Sequence, residues 1–201
     1  MVRSAHRGLG RFLVVDGIDQ SGKKTQTRLL VRRIQRQGMH CVTLDFPTYQ
    51  TSVGRVLKAY LTGRERPDLH AVHLLYAANK WEVAGKVANH LKRGEILVAN
   101  RYTPSNLAYG VAHGLPLYWL RMLEAGLPVP TQIFILDVPV KTSFDRKKES
   151  RDVHEEDSEY LQRVRRTYLQ LARKYHWTVV NGSADPLSVH DVIWKKVASI
   201  L

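Results

Sequence analysis

A glycine-rich turn between an apolar run and a helical pattern constrains the fold of this chain more than any other feature. The turn, GIDQSGKKT, follows the apolar run RFLVV that begins at Arg11. Within it, Gly17, Gly22 and Lys23 have the spacing G-x-x-x-x-G-K. Between a strand and a helix, glycines at this spacing let backbone N–H groups and the helix N-terminus face an anion. The sequence therefore predicts a strand, a phosphate-binding loop and a helix in succession.

Five short apolar runs alternate with helical patterns along the chain. Several runs are continuously apolar, which is typical of strands buried on both faces of a parallel sheet. The runs are Arg11–Val15, His40–Phe46, Glu95–Asn100, Thr131–Val138 and Trp177–Asn181, and the helical patterns cover Lys24–Gly38, Pro67–Gly94, Asp157–Tyr175 and Pro186–Leu201. This alternation predicts a doubly wound α/β fold with right-handed crossovers. The sequence contains no repeat, linker or low-complexity tract, so we expect one domain over residues 1–201.

The charge balance favours anionic partners. Lys and Arg number 31 against 18 Asp and Glu, which gives a formal net charge of +13. Such a charge suits nucleic acid or free nucleotides. The basic runs RRIQRQ and RVRR are also explained as solvated helix faces, so charge alone does not choose between these readings.

The cysteine content and the hydropathy of the chain predict its cellular compartment. Cys41 is the single cysteine, so no internal disulfide forms and a reducing compartment is expected. No apolar run approaches the roughly 20 residues that span a bilayer. The segment MVRSAHRGLGR is basic but lacks the apolar core of a signal peptide. We therefore expect a cytoplasmic protein with no membrane partner.

Several motifs together resemble the thymidylate kinases. These motifs are DGIDQSGKKTQ, FPTYQTSVG, HLLYAANKWE, NRYTPSNLAYG and GLPVPTQIFILD, and their order and spacing match the family from about Phe12 to the last helix. The resemblance implies a P-loop α/β fold with a five-stranded parallel sheet and a short lid. It also implies transfer of the γ-phosphate of Mg·ATP to dTMP, Mg²⁺ as cofactor, and a homodimer with no specific nucleic-acid partner.

The glycine-rich turn is the implied ATP site. The ATP-binding residues are then Gly17, Ile18, Asp19, Gln20, Ser21, Gly22, Lys23, Lys24 and Thr25. Lys23 is expected to reach the β- and γ-phosphates, and Thr25 is expected to contact the α-phosphate. By resemblance, Asp19 is the carboxylate beside the sugar 3′-hydroxyl of dTMP and the metal, so it is both a catalytic and a metal-ligand candidate.

Three side chains share one face of the helical pattern that starts at Pro67, namely His73, Tyr76 and Lys80. A stacking aromatic one turn from a hydrogen-bond donor suits a flat base with carbonyl oxygens. A helix–helix contact with Lys80 extended to solvent explains the same spacing without any ligand. In the family, the matching aromatic stacks on thymine and the matching basic residue, usually arginine, donates to a base carbonyl.

Arg101 follows the third apolar run, at the carboxyl end of a strand predicted beside the loop strand. Such positions face the ligand crevice of a parallel sheet, and a guanidinium there suits a phosphoryl group. By resemblance, Arg101 binds the dTMP phosphate and Tyr109 packs beneath the deoxyribose. The implied dTMP-binding set is Asp19, Tyr49, Tyr76, Lys80, Arg101, Ser105, Asn106 and Tyr109.

The charged stretch FDRKKESRDVHEEDSEY is expected to form the lid, over about residues 142–157. A solvated disordered loop is the alternative that its composition supports. Eukaryotic members of the family often carry an arginine at the position of Gln20, so here a catalytic arginine would come from the lid. Arg146 and Arg151 are the candidates. By resemblance, Glu155 lies near the metal and His154 near the sugar.

Two positions depart from the family pattern at the phosphate end. Lys24 stands where a serine or threonine usually binds the metal, and Asn100 stands where an aspartate is common. An ammonium cannot coordinate Mg²⁺. Some bacterial members also carry a basic residue at the first position. We therefore expect an active enzyme in which Lys24 is a further catalytic residue, acting by its charge.

Three alternatives stay open at this point. In the first, the chain is a kinase for another pyrimidine monophosphate such as dUMP or UMP. In the second, it is a catalytically weakened nucleotide-binding homologue. In the third, it is a nucleic-acid-binding module. The last explains the net charge but not a phosphate loop combined with a base-stacking helix.

Overall fold

The sheet and its flanking helices follow the predicted alternation. The computed structural model describes residues 10–64, 67–146 and 158–201. Its elements are β1 (Arg11–Gly17), α1 (Lys23–Arg36), β2 (Cys41–Asp45), α2 (Ser52–Leu61), α3 (Leu69–Lys92), β3 (Ile96–Asn100), α4 (Thr103–Ala112), α5 (Leu117–Leu123), β4 (Gln132–Asp137), α6 (Val140–Arg146), α7 (Ser158–Tyr175), β5 (Thr178–Asn181) and α8 (Pro186–Ala198). The five strands are parallel in the order β2-β3-β1-β4-β5. The predicted doubly wound five-stranded sheet is confirmed.

Helices cover both faces of the sheet, and alternate residues of β1 belong to different cores. Leu13 and Val15 pack with Leu30 of α1 and Ile193 of α8 on one face. On the other face Phe12 and Val14 join the cluster that includes residues of α3, α4 and α7. Burial on both faces explains why the β1 run is continuously apolar.

Four helices had no counterpart among the predicted elements, namely α2, α4, α5 and α6. Two of them, α5 and α6, are 7 residues long, which is too short for a helical period to show. In α4, Pro104, Asn106, Leu107, Ala108, Tyr109 and Gly110 are all buried. A helix buried on most of its surface has no polar face, so its sequence carries no amphipathic signal.

None of the helices in the described ranges is both long enough and apolar enough to span a membrane.

Asp16, in the central strand β1, is fully buried and connects the strand to two helices. Its carboxylate accepts hydrogen bonds from the Ser105 backbone N–H (3.1 Å) and Oγ (2.8 Å) at the start of α4. It also accepts from the Tyr102 N–H (3.2 Å) and from the Tyr168 Oη of α7 (2.9 Å). Because a buried carboxylate needs several donors, these contacts fix the start of α4 and the middle of α7 relative to the loop that follows Gly17.

We expect Asp16→Asn to lower the free energy of unfolding by about 2–4 kcal/mol, because the amide N–H would face hydrogen-bond donors that need an acceptor. Urea denaturation followed by circular dichroism measures the change. Asp191→Asn is the control, since Asp191 makes an exposed ion pair with Arg33 and should change stability by less than about 1 kcal/mol. Equal effects of the two substitutions would contradict the role given to Asp16.

Candidate active site

Two adjoining cavities open at the carboxyl ends of the strands. The first, of about 430 Å³, is here called the aromatic cavity and is lined by Asp19, Lys24, Asp45, Phe46, Pro47, Tyr49, Gln50, Leu61, Tyr76, Asn79, Lys80, Asn100, Arg101, Tyr102, Ser105, Asn106 and Tyr109. The second, of about 600 Å³, is the loop cavity and is lined by the residues from Asp19 to Gln26 together with Asn100, Arg101, Arg146, Gly182, Ala184, Pro186 and Val189. Asp19, Lys24, Asn100 and Arg101 line both cavities and mark the junction between them.

The glycine-rich turn has the backbone geometry that its sequence predicts. Gly17 has φ 142° and Gly22 has φ 96°, and a Cβ on Gly17 would lie 2.6 Å from the Leu136 carbonyl oxygen. Only glycine therefore fits at position 17. Helix α1 begins immediately after Gly22, so its N-terminus points into the loop cavity.

Lys23 is buried within this turn. Its Nζ donates to the Ile18 carbonyl at 2.6 Å and lies 3.9 Å from the Asp19 carboxylate. Of the nine predicted ATP-binding residues, the seven from Asp19 to Thr25 line the loop cavity. Gly17 and Ile18 do not line it, because Gly17 is within β1 and the Ile18 side chain is buried in the core.

Asp19, Arg101 and Tyr109 form one cluster at the junction. The guanidinium of Arg101 and the Tyr109 hydroxyl (2.6 Å) donate to different oxygens of Asp19. Arg101 also donates to Ser105 Oγ at 3.2 Å and lies over the Tyr109 ring at 5.6 Å. Burial, with the Asp19 charge adding to it, raises the pKa of Tyr109 well above its usual value, so this phenol stays a donor.

The backbone of Arg101 is strained. Its φ of 64° is in the left-handed region, and its N–H donates to the Val15 carbonyl at 3.0 Å. Such strain costs of order 1–3 kcal/mol and persists only where the surroundings hold it. The contact with β1 therefore fixes the Arg101 backbone at the carboxyl end of β3, and the hydrogen bonds to Asp19 and Ser105 hold its guanidinium at the junction.

Tyr76 and Lys80, for which the spacing predicted a shared face of α3, both line the aromatic cavity, whereas His73 of the same predicted face does not. The Lys80 ammonium is buried, and it donates to Glu124 Oε1 at 2.8 Å and to the Tyr76 carbonyl at 3.0 Å. Lys80 is therefore not extended to solvent. Tyr49, Ser105, Asn106 and Tyr109 complete the predicted set around this cavity, with Tyr49 at its exposed rim.

Helix α6 is anchored to the loop. Ser143 Oγ donates to the Asp19 carbonyl at 2.7 Å, and Arg146 donates to the carbonyls of Gln20 (3.2 Å) and Gly182 (3.0 Å). Arg146 therefore lies at the loop cavity. Arg151, His154 and Glu155 lie outside the described residues.

Comparisons with known proteins identify the family of this chain. The thymidylate kinase family model matches residues 15–193. The chain belongs to the thymidylate kinase family. The probable thymidylate kinase of Pyrococcus abyssi is 37% identical over 193 residues, covering 92% of this chain and 94% of that protein. The human thymidylate kinase is 32% identical over 189 residues, covering 92% and 88%.

The fold is also that of a solved thymidylate kinase. The solved thymidylate kinase of Candida albicans superimposes with a TM-score of 0.86 at 23% identity, covering 95% of this chain and 92% of that one. Membership in the thymidylate kinase family makes the chain a nucleoside monophosphate kinase, a phosphotransferase that uses ATP as phosphoryl donor.

A buried polar network behind the aromatic cavity was missed by sequence reasoning. Asn106 Nδ2 donates to Glu124 Oε1 at 2.8 Å, and Asn106 Oδ1 lies 2.7 Å from His73 Nδ1. His73 Nε2 lies 3.2 Å from His113 Nδ1. Glu124 stands out in the sequence only as an acid just before the GLPVP segment, and no local pattern pairs it with Lys80.

Lys24 and Asn100, where the sequence departs from the family pattern, both lie at the junction. Asn100 Nδ2 donates to Asp45 Oδ1 at 2.9 Å, while Lys24 is exposed and makes no hydrogen bond or ion pair within the described residues. Within the same residues, no three His, Cys, Asp or Glu side chains gather into a metal-binding group. Both oxygens of Asp19 already accept from Arg101 and Tyr109. A Mg²⁺ ion held mainly by protein ligands therefore does not fit the described part of the site.

Proposed function

We propose that this chain transfers the γ-phosphate of ATP to dTMP, giving dTDP and ADP, as a cytoplasmic single-domain enzyme. The observation that carries the proposal is the junction, where a phosphate-loop cavity and an aromatic cavity share Asp19, Lys24, Asn100 and Arg101. Phosphoryl transfer needs a donor and an acceptor brought end to end with their charge neutralised. Two cavities that meet at these four charged or hydrogen-bonding side chains support that arrangement.

On the donor side, ATP occupies the loop cavity. Backbone N–H groups of the turn and the N-terminus of α1 bind the phosphates, and Lys23 exchanges its contact with the Ile18 carbonyl for phosphate oxygens. Arg146 adds charge from α6, the described end of a lid proposed to cover residues 142–157. Mg²⁺ would be bound mainly by ATP phosphates and water, and Asp19 is the described carboxylate that could contact it.

On the acceptor side, dTMP occupies the aromatic cavity. Tyr76 stacks on the base, Arg101 binds the phosphate, and Tyr109 with Asp19 faces the deoxyribose. Lys80 and Asn106 read the base edge, and Ser105 and Tyr49 complete the contact with the nucleotide. A dTMP phosphate oxygen then attacks the γ-phosphorus in line, the bond from γ-phosphorus to the β-phosphate oxygen breaks, and ADP leaves with that electron pair.

We expect Tyr76→Ala to raise the KM for dTMP by about 5–150-fold, because stacking on a base is typically worth roughly 1–3 kcal/mol, and to leave the KM for ATP nearly unchanged. A coupled ADP-release assay across all nucleoside monophosphates measures both values and tests dTMP as the substrate. His70→Ala, an exposed position on the same helix, is the control. A wild-type enzyme that turns over another monophosphate better than dTMP would refute the proposed substrate.

Lys24 tests the chemistry at the junction. If its ammonium stabilises charge that develops during transfer, Lys24→Ala should lower kcat at least about tenfold while the KM for ATP changes little. Arg28→Ala, exposed one turn further along α1, is the matched control.

Lys24→Ser combined with Asn100→Asp should restore a Mg²⁺-binding pair and steepen the dependence of kcat on free Mg²⁺ at fixed Mg·ATP. The two substitutions should act non-additively, because they would share one ion.

For the single substitution, an unchanged kcat for Lys24→Ala at saturating substrates would mean that Lys24 has no catalytic role.

We further propose a homodimer that forms through α3 and α5. Exposed apolar side chains lie on these helices, among them Leu74, Trp81, Tyr118 and Met122. Such side chains in one region of a surface mark an interface. Light scattering should give twice the 23.0 kDa chain mass for the wild type and a monomer for Leu74→Glu with Met122→Glu. Leu187→Glu on α8 is the control, and a monomeric wild type would refute the dimer.

A further inference from the structure

We propose that His73 and Glu124 are positioning residues that fix the Asn106 amide in one orientation. Held this way, Asn106 and Lys80 favour a pyrimidine with an N3–H group and a 4-oxo group over one with an unprotonated N3 and a 4-amino group. The proposal rests on the proposed function, since it assigns the base-reading end of the aromatic cavity.

The Asn106 amide is clamped from both sides. Its Nδ2 donates to Glu124 Oε1 at 2.8 Å and to the His73 carbonyl at 3.3 Å. A carboxylate and a carbonyl only accept hydrogen bonds, so the nitrogen of the amide must face them. The side chain is buried, so a flipped amide would place its oxygen against two acceptors with no water to compensate.

The other side of the clamp is the His73 ring. Asn106 Oδ1 lies 2.7 Å from His73 Nδ1, so this nitrogen must carry the proton. His73 Nε2 then accepts from His113 Nδ1 at 3.2 Å, and the ring is neutral. Burial lowers the pKa of His73 to about 4, which agrees with a neutral ring near pH 7. The network therefore has one consistent direction from His113 to Glu124.

The direction of these hydrogen bonds determines which donors and acceptors the aromatic cavity presents to a base. A carboxamide oxygen has two lone pairs, and Asn106 Oδ1 uses one of them for His73. The other can accept an N3–H. Lys80 Nζ uses two of its three N–H donors, on Glu124 and the Tyr76 carbonyl, and keeps one for a 4-oxo group.

Glu124 holds the donor and the acceptor side by side. Its Oε1 accepts from both Lys80 and Asn106, at 2.8 Å each, which places the two reading groups next to each other. Its Oε2 is buried without a hydrogen-bond partner. A buried carboxylate with one unsatisfied oxygen is costly for stability, so stability alone gives no reason for it here. A cytosine ring would set its unprotonated N3 against Asn106 Oδ1 and its amine against the Lys80 ammonium, and both contacts are repulsive.

The test compares kcat/KM for dTMP, dUMP and dCMP in the wild type, Glu124→Gln, His73→Phe and His73→Gln. Glu124→Gln can offer its own N–H to Asn106 and let the amide flip, so we expect the dTMP/dCMP ratio to fall at least about tenfold. The dTMP/dUMP ratio should not change, because uracil has the same N3–H and 4-oxo groups. His73→Phe should lower the dTMP/dCMP ratio similarly, and His73→Gln, which keeps an N–H donor, should restore most of it.

The controls distinguish a failure of this inference from a failure of the proposed function. His70→Gln on the same helix should leave all ratios unchanged, and the KM for ATP should be constant throughout. Equal losses for dTMP and dCMP in both Glu124→Gln and His73→Phe would mean a merely structural role and would overturn the inference. A wild type with no dTMP turnover refutes the proposed function instead. In that case the inference is tested by binding. The dissociation constants of dTMP and dCMP are measured by calorimetry on the same variants.

Discussion

The buried carboxylate of Asp16 determines where the other site residues lie. It stands in the central strand and accepts hydrogen bonds from the first turn of α4 and from Tyr168 in α7. Ser105, one of these donors, is also bonded to Arg101. The glycine-rich loop begins one residue after Asp16, so a single anion relates the loop, α4 and Arg101. A carboxylate can do this because it accepts several hydrogen bonds at once in a dry interior.

Cationic side chains predominate around the junction between the cavities. Lys23, Lys24, Arg101 and Arg146 approach it, and the Asp19 carboxylate is already shared between Arg101 and Tyr109. Excess positive charge strengthens the binding of phosphate oxygens and weakens that of a divalent cation. Ammonium and guanidinium groups thus line the region where the two cavities adjoin.

The end of the aromatic cavity near Lys80 and Asn106 depends on a different interaction. The ion pair between Lys80 and Glu124 and the amide of Asn106 are all buried, and the His73 ring closes the network. Buried polar groups cost free energy unless every partner is in place, so such a network tolerates few alternative arrangements. That rigidity is useful where donors and acceptors must be presented to a base in a fixed order.

The sequence by itself determined the sheet, the phosphate loop and the placement of Arg101, because strand burial, glycine spacing and the convergence of parallel strand ends are local or topological rules. The shared face of Tyr76 and Lys80 followed from helical periodicity. Only the tertiary structure paired Lys80 with Glu124, 44 residues away, and Asp16 with Tyr168, 152 residues away. It also revealed the buried helix α4. Such pairings depend on which side chains meet when the core closes, and neither residue of a pair carries a periodic signal that names its partner.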